Sequence, residues 1–286
     1  MIKQNIEDYF MLARERYMIL QKRRAGEPWP WSEMPVFQKY NLCNVHREDD
    51  RTTIWFRDNI RSKVSGLDAI KATVIFRWFN RIETGEIIKD MLVNGRWNRE
   101  RAEILLEDVK PVVTGAYMIK TITGMDKLHG ALTVIDEALP YIDELWSKEK
   151  FSKSLQGFHE QLMEINYMGG FMAYEVVSDL RWTDVLKDAP DIMTWANAGP
   201  GCMRGLSRLL YGSPRGYFSR NSKVDQDTMN EHMNNLLDYA QDTAYWPSEW
   251  RQWEMREVEH WLCEYSKITG YLEDKKEPKR VYRRAV

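Results

Sequence analysis

"NAGPGCMRGLSRLL", Asn197 to Leu210, is the stretch on which the reading of this chain turns. A Gly-Pro-Gly turn opens onto a run whose apolar residues recur at helical spacing, and proline, with its fixed φ, suits the first turn of a helix. Main-chain N–H groups at such a start have no partner inside the helix, and the aligned peptide dipoles add partial positive charge there. An anion that approaches closely is therefore favoured, and glycines let it come near. Arg204 and Arg208, four residues apart, are expected on one face of that helix.

The rest of the chain reads the same way, as helix after helix. Residues 3 to 24 form an expected helix ended by Gly26 and the Pro28 to Pro35 segment, because proline cannot continue the hydrogen-bond ladder. The following "GEPWPWSEMP" is expected to be extended. From Leu67 onward, Ile70, Val74, Phe76 and Phe79 approximate one apolar stripe. Asn98 is placed to cap a helix in which Ala102, Leu105, Leu106 and Val109 repeat before Pro111. Further helices are expected over 125–139, 153–165, 168–180, 226–243 and 248–269, with "GSPRGYFSRNSK", Gly212 to Lys223, as a surface loop. The expected fold is all-α. No repeat or long Pro/Gly/Ser linker divides it, so residues 1–286 are read as a single helical domain ending in a basic tail over about 272–286.

Composition narrows the function classes. The 286 residues carry a net charge of −2, with 43% hydrophobic and 29% charged residues, and no apolar run approaches the ~18 residues of a membrane span. A cytoplasmic globular protein without a membrane partner is expected. Three well-separated cysteines, Cys43, Cys202 and Cys263, form no C-x-x-C pair and are read as free thiols. Near-neutral overall charge does not exclude a nucleic-acid partner, since positive charge can be local. Lys22 to Arg24 and the tail residues Lys275, Lys276, Lys279, Arg280, Arg283 and Arg284 are two such excesses. Most of the twelve tryptophans are assigned to the core.

"GAYMIKT", Gly115 to Thr121, approaches a phosphate-binding P-loop but lacks the glycine before the lysine, and no H-E-x-x-H, G-x-S-x-G or G-x-G-x-x-G fingerprint occurs. Other stretches carry more. In "CNVHREDDRTT", Cys43 to Thr53, the oxygens of Glu48, Asp49 and Asp50, with His46, suit Mg²⁺, and Arg47 and Arg51 suit a phosphate clamp; a mutually paired surface knot is the alternative. "FRWFNRIETGE" sets Arg77, Asn80 and Arg81 on neighbouring turns, where arginine forks fit phosphates and asparagine fits a base edge. "YMGGFMAYEVVSDL" has a Gly-Gly pair that permits close helix approach, and Asp179 near a helix end that the dipole disfavours, so the acid needs a salt-bridge partner or a catalytic role. "MREVEHWLCEYSK" places Arg256, Glu259, Cys263 and Lys267 on one stripe, either a solvated face or a cleft where Glu259 or His260 takes a proton from an amine. The Asn197 turn likewise has two readings. It grips a DNA phosphate in the manner of a helix-hairpin-helix, through Asn197, Gly199, Gly201, Arg204 and Arg208, or it is a plain interhelical turn with Gly199 left-handed.

Taken in order, "AGEPWPW", "YNLCNVHREDDRTT", "FRWFNRIET", "AYEVVSDL", "NAGPGCMRGLSRLL" and "EVEHWLCEYSK" resemble the bacteriophage α-glutamyl/putrescinyl thymine pyrophosphorylases, the amino acid:DNA transferases, from about Gly26 to Lys267. The same module resembles that of the 5-hydroxymethyluracil DNA kinases, and the missing P-loop favours the transferase branch. The resemblance implies a fold related to the helix-hairpin-helix DNA glycosylases, acting in the cytoplasm of the infected bacterial host. It implies double-stranded DNA with modified thymine as partner, a free amino acid or polyamine as co-substrate, and a DNA kinase of the same pathway as a further partner. The amine displaces pyrophosphate from pyrophosphorylated 5-hydroxymethyluracil.

The expected catalytic bases are Asp179 and Glu259. Expected substrate contacts are Arg47, Glu48, Asp49, Asp50, Arg51, Asn80, Arg81, His260 and Lys267, with Mg²⁺ as the one candidate cofactor. The sequence departs from the glycosylases in its Gly-Pro-Gly hairpin and in the loop "RGYFSRNSKVDQD", where Asp225 falls near the position of their catalytic aspartate by count, so N-glycosidic cleavage is not expected. A glycosylase and a DNA-binding scaffold for a kinase are the competing readings.

Overall fold

The computed structural model describes residues 1–116, 122–219 and 222–282. "GAYMIKT" lies largely outside them, as do two residues of the 212–223 loop and the last four of the tail. The described residues form twelve α-helices and no named strand. In chain order these are α1 (Lys3–Arg24), α2 (Pro35–Lys39), α3 (Arg51–Asn59), α4 (Gly66–Phe79), α5 (Ile82–Val93), α6 (Arg99–Leu106), α7 (Lys127–Ser147), α8 (Leu155–Leu162), α9 (Gly170–Leu180), α10 (Pro200–Tyr211), α11 (Lys223–Ala240) and α12 (Met255–Leu272). They gather into two compact units. One combines Met1–Asp50 with Met193–Val286, and the other is Arg51–Ile192.

The first unit is built on α12. α10 lies along it closely enough that a Cβ at Gly205 would collide with the Leu262 carbonyl oxygen, and one at Gly201 with the Cys263 sulfur. These glycines exist for helix packing. Gly205→Ala is expected to cost about 1–3 kcal/mol, because backbone on both sides must move apart; a urea midpoint unchanged from wild type would contradict this. α1 closes the other side. Tyr9 donates its hydroxyl to the Val258 carbonyl at 3.2 Å, and the Trp261 indole donates to the Tyr9 carbonyl at 3.1 Å. Around this joint Tyr9, Phe10, Trp253 and Trp246 meet edge-on or tilted, with centroids 5.0–5.9 Å apart. Such pairs supply a large buried area together with their polar anchors. The chain end is held as well: Tyr282 N–H donates to the Lys39 carbonyl and Asn41 N–H to the Arg280 carbonyl, both at 2.8 Å, so the basic tail is tied down as far as Tyr282.

The second unit centres on α4. Its sequence was read as one apolar stripe, yet Ala69, Ile70 and every residue from Ala72 to Phe79 are buried, because α5, α7 and α9 all pack on it. α6 is capped by Asn98, whose side chain accepts from Arg101 N–H at 2.8 Å, but the helix ends at Leu106 and Leu105 is 41% exposed. α7 runs through Pro140 to Ser147, beyond the expected end at 139. Gly169 caps α9 with open space where a Cβ would stand, so Gly169 itself brings no helix close.

A candidate active site on the first unit

Residues 43–50 fold back on themselves. Asn44 donates its main-chain N–H and its side-chain amide to Asp50 Oδ1, each at 3.1 Å, and the amide also donates to the Asp49 carbonyl at 2.8 Å. This local turn separates the acids that were expected to act together. Asp49 pairs with Arg24 at 2.8 Å, while Glu48 and Arg47 are buried. His46 is fully buried, edge-on to Tyr17 and Trp246, with Nδ1 3.8 Å from Glu257. Asp49 and Asp50 thus face different partners. Arg51 is exposed at the start of α3, in the other unit.

Asp50 turns its second oxygen toward α12, where Oδ2 lies 3.9 Å from His260 Nε2. Cys43 completes this grouping, and its sulfur, the carboxylate and the imidazole nitrogen all lie within 4.8 Å of one another. Cys43 also donates its main-chain N–H to Glu264, whose other oxygen pairs with Lys267. The α12 stripe is not a solvated face. Arg256 and Glu259 pair at 2.6 Å with side chains only 14% and 11% exposed, while Val258, Trp261, Leu262 and Tyr265 fill the core behind them.

The local electrostatics are unusual for so polar a place. Burial, and then the positive fields of Arg256, Arg47 and Lys267, hold the His260 imidazole well below its ordinary pKa and so keep it neutral. Burial raises the Asp50 carboxyl to about 6 against the lowering effect of the Asn44 hydrogen bond, Arg47 and Arg16, although 27% of the side chain meets solvent. Burial, Glu264 and Asp50 push the Cys43 thiol well up. Lys267 is held above its usual range by Glu264, Cys263 and Cys43, which outweigh its desolvation.

The turn at Gly199 fits neither expectation fully. Gly199 is extended, with φ −76° and ψ 172°, rather than left-handed, and Pro200 is the first residue of α10. Residues 195–199 ahead of it are irregular. A Cβ on Gly199 would lie 3.9 Å from Glu259, which puts an acid near the helix start. Asn197 is half-buried. The two arginines part company: Arg204 is exposed, but Arg208 is 5% exposed and pairs with Glu273 at 2.6 Å and with Asp274. Arg208 thus closes the end of α12 and is not presented to a DNA phosphate.

The expected site residues of the second unit form a buried knot. Arg77 grips both oxygens of Asp179, through Nε and through Nη2 at 2.7 Å, and its Nη1 donates to Asn80 Oδ1 at 2.6 Å. Thr53 stands 3.4 Å from Nη2, and Arg61 lies 3.8 Å from Asp179. Asn80 caps α4 in the left-handed region, with φ 44°. Arg81 pairs with Glu83 at 3.1 Å. The salt-bridge partner that the acid at 179 needed is Arg77, which holds both carboxylate oxygens. The Asn80 side-chain oxygen, expected at a base edge, accepts from Arg77 instead.

All three cysteines are free thiols, as expected. Cys43 is the residue that sequence reading passed over as a site, because its partners are Asp50 and a histidine on a distant helix. Residues 3–276 match the helical domain of 5-hmdU DNA kinase, nearly the whole chain. The chain belongs to this family. Consistent with that helical domain, a 5-hmdU DNA kinase of Bacillus phage SP10 is 27% identical over 292 residues, covering 92% of this chain and 44% of the relative. The chain thus spans less than half the length of that kinase. No solved structure matches it, and no helix among the described residues is long and apolar enough to cross a membrane.

Proposed function

We propose that this helical domain acts on phage DNA carrying 5-hydroxymethyluracil, and that it transfers an amine to the base once the hydroxymethyl group has been pyrophosphorylated. The amine nitrogen attacks the exocyclic methylene carbon, the C–O bond breaks, and pyrophosphate leaves with the bonding electrons. The amine's proton passes to a base. Membership of a kinase-associated family supports the modified thymine as substrate. What supports the reaction is the positive field that Arg256, Arg47 and Lys267 together exert at His260, because such a field stabilises the charge on a leaving pyrophosphate. Glu259 is the base in this reading, since it lies on that face with a side chain that solvent barely reaches. Mg²⁺ enters bound to the pyrophosphate itself, as is usual for a cation that keeps most of its water. Arg204, exposed on α10, is the DNA backbone contact.

A second reading rests on the match to a longer kinase: the domain holds modified DNA for a phosphoryl-transfer domain. Incubation of pyrophosphorylated DNA with the protein and a mixture of amino acids and polyamines separates the two. Amine-dependent release of pyrophosphate is expected for the transferase, and binding without release for the holding domain. For the clamp, Arg47→Ala is expected to weaken binding of pyrophosphorylated DNA more than that of unmodified DNA in a filter-binding titration. Equal losses would remove Arg47 from the pyrophosphate.

A further inference from the structure

We infer that Cys43, Asp50 and His260 form a binding site for a divalent transition ion of the zinc class, with a fourth position left for water or an external ligand. This goes beyond amine transfer and stands whether or not that reaction occurs. The donor set comes first. Thiolate, imidazole and carboxylate together select zinc-like ions, whereas Mg²⁺ takes oxygen ligands. The spacing fits: the three donor atoms lie within 4.8 Å of one another, and His260 Nε2 stands 3.9 Å from Asp50 Oδ2. Tetrahedral zinc, with bonds of about 2.0–2.3 Å, sets its donors roughly 3.3–3.8 Å apart, so small side-chain rotations close the site.

The surroundings of the donors also match. Nε2 of His260 is a buried nitrogen without a hydrogen-bond partner of its own, and it faces the Asp50 carboxylate in a grouping that includes the Cys43 thiol. Asp50 is steadied through its other oxygen by Asn44, the kind of support that orients a ligating carboxylate. All three residues are only part-buried, which gives an ion a path in. Charge balances as well, because one divalent ion neutralises one thiolate and one carboxylate, the thiol proton leaving to solvent. Of the nearby cations, Arg256 and Lys267 are already paired with Glu259 and Glu264.

The probe is Co²⁺, titrated into the metal-free full chain and followed by absorbance. One equivalent is expected to give the strong visible bands of a tetrahedral ion and a near-ultraviolet thiolate-to-cobalt band, both lost on adding Zn²⁺. Cys43→Ser should abolish the thiolate band, and His260→Ala and Asp50→Asn should each weaken binding by about tenfold or more. Circular dichroism melts of the three variants establish that each is folded. Absence of the bands in wild type, an undiminished thiolate band in folded Cys43→Ser, or displacement of Co²⁺ by millimolar Mg²⁺ would each overturn the site.

Discussion

Asp179→Ala lowers the stability of the chain by about 3–5 kcal/mol, the cost of breaking a buried ion pair by removing one partner. Arg77 is 1% exposed and lies 5.7 Å above the Phe56 and Phe76 rings, so water cannot take over the lost carboxylate. Asn80 and Thr53, which also accept from Arg77, are neutral and do not compensate a guanidinium charge. Urea denaturation of the variant should show a lowered midpoint with an unchanged slope. Replacing the whole pair by apolar residues, as in Arg77→Met with Asp179→Leu, is expected to recover most of the loss, because it removes both the charge and its desolvation. A loss below about 1 kcal/mol in the single variant would put Asp179 among weakly coupled surface acids instead. If Asp179→Ala proves stable but catalytically dead, its role is chemical after all.

Glu259→Gln lowers the rate of amine transfer by about 10²–10⁴-fold, the usual contribution of a positioned general base. Glutamine keeps the size of the side chain and can still accept from Arg256, so the fold and the packing against the α10 turn are preserved. A base is distinguished from a positioning residue by where the loss appears. Removal of the base reduces kcat and kcat/KM together and leaves KM for the modified DNA within about twofold. It should also abolish the acid limb of the pH–rate profile, since that limb reports protonation of the base. A variant whose defect is confined to KM would make Glu259 a support for Arg256. Full activity in Glu259→Gln would remove it from the mechanism.

What the sequence made legible follows from the range of the forces involved. The start and stop of α1 and the Asn98 cap depend on residues within a few positions, and both are found where local chemistry puts them. α7 was expected to end at 139 and instead runs through Pro140, because packing of its Leu132, Ile135 and Ala138 face holds the helix across the break. Arg208 was read with Arg204 because helical spacing puts them side by side; the acids that capture it, Glu273 and Asp274, come from the far end of another helix. Asp179 shows the same limit from the other side. Its unfavourable place near a helix end was visible, while the identity of its partner Arg77 depended on α4 and α9 being neighbours. Cys43 carried no spacing signal at all, since its grouping joins a folded turn to the middle of α12. The all-helical class, by contrast, was written in apolar periodicity along most of the chain.

The central claim is that this domain makes a C–N bond on a DNA base, and nucleoside mass spectrometry tests it directly. DNA containing pyrophosphorylated 5-hydroxymethyluracil is incubated with the purified protein, Mg²⁺ and a pool of amino acids and polyamines, then digested. The account predicts a new thymidine derivative that carries one amine in place of the pyrophosphate. Recovery of the pyrophosphorylated nucleoside unchanged, from DNA that the protein demonstrably binds, would contradict transfer and leave the domain as a holder of modified DNA.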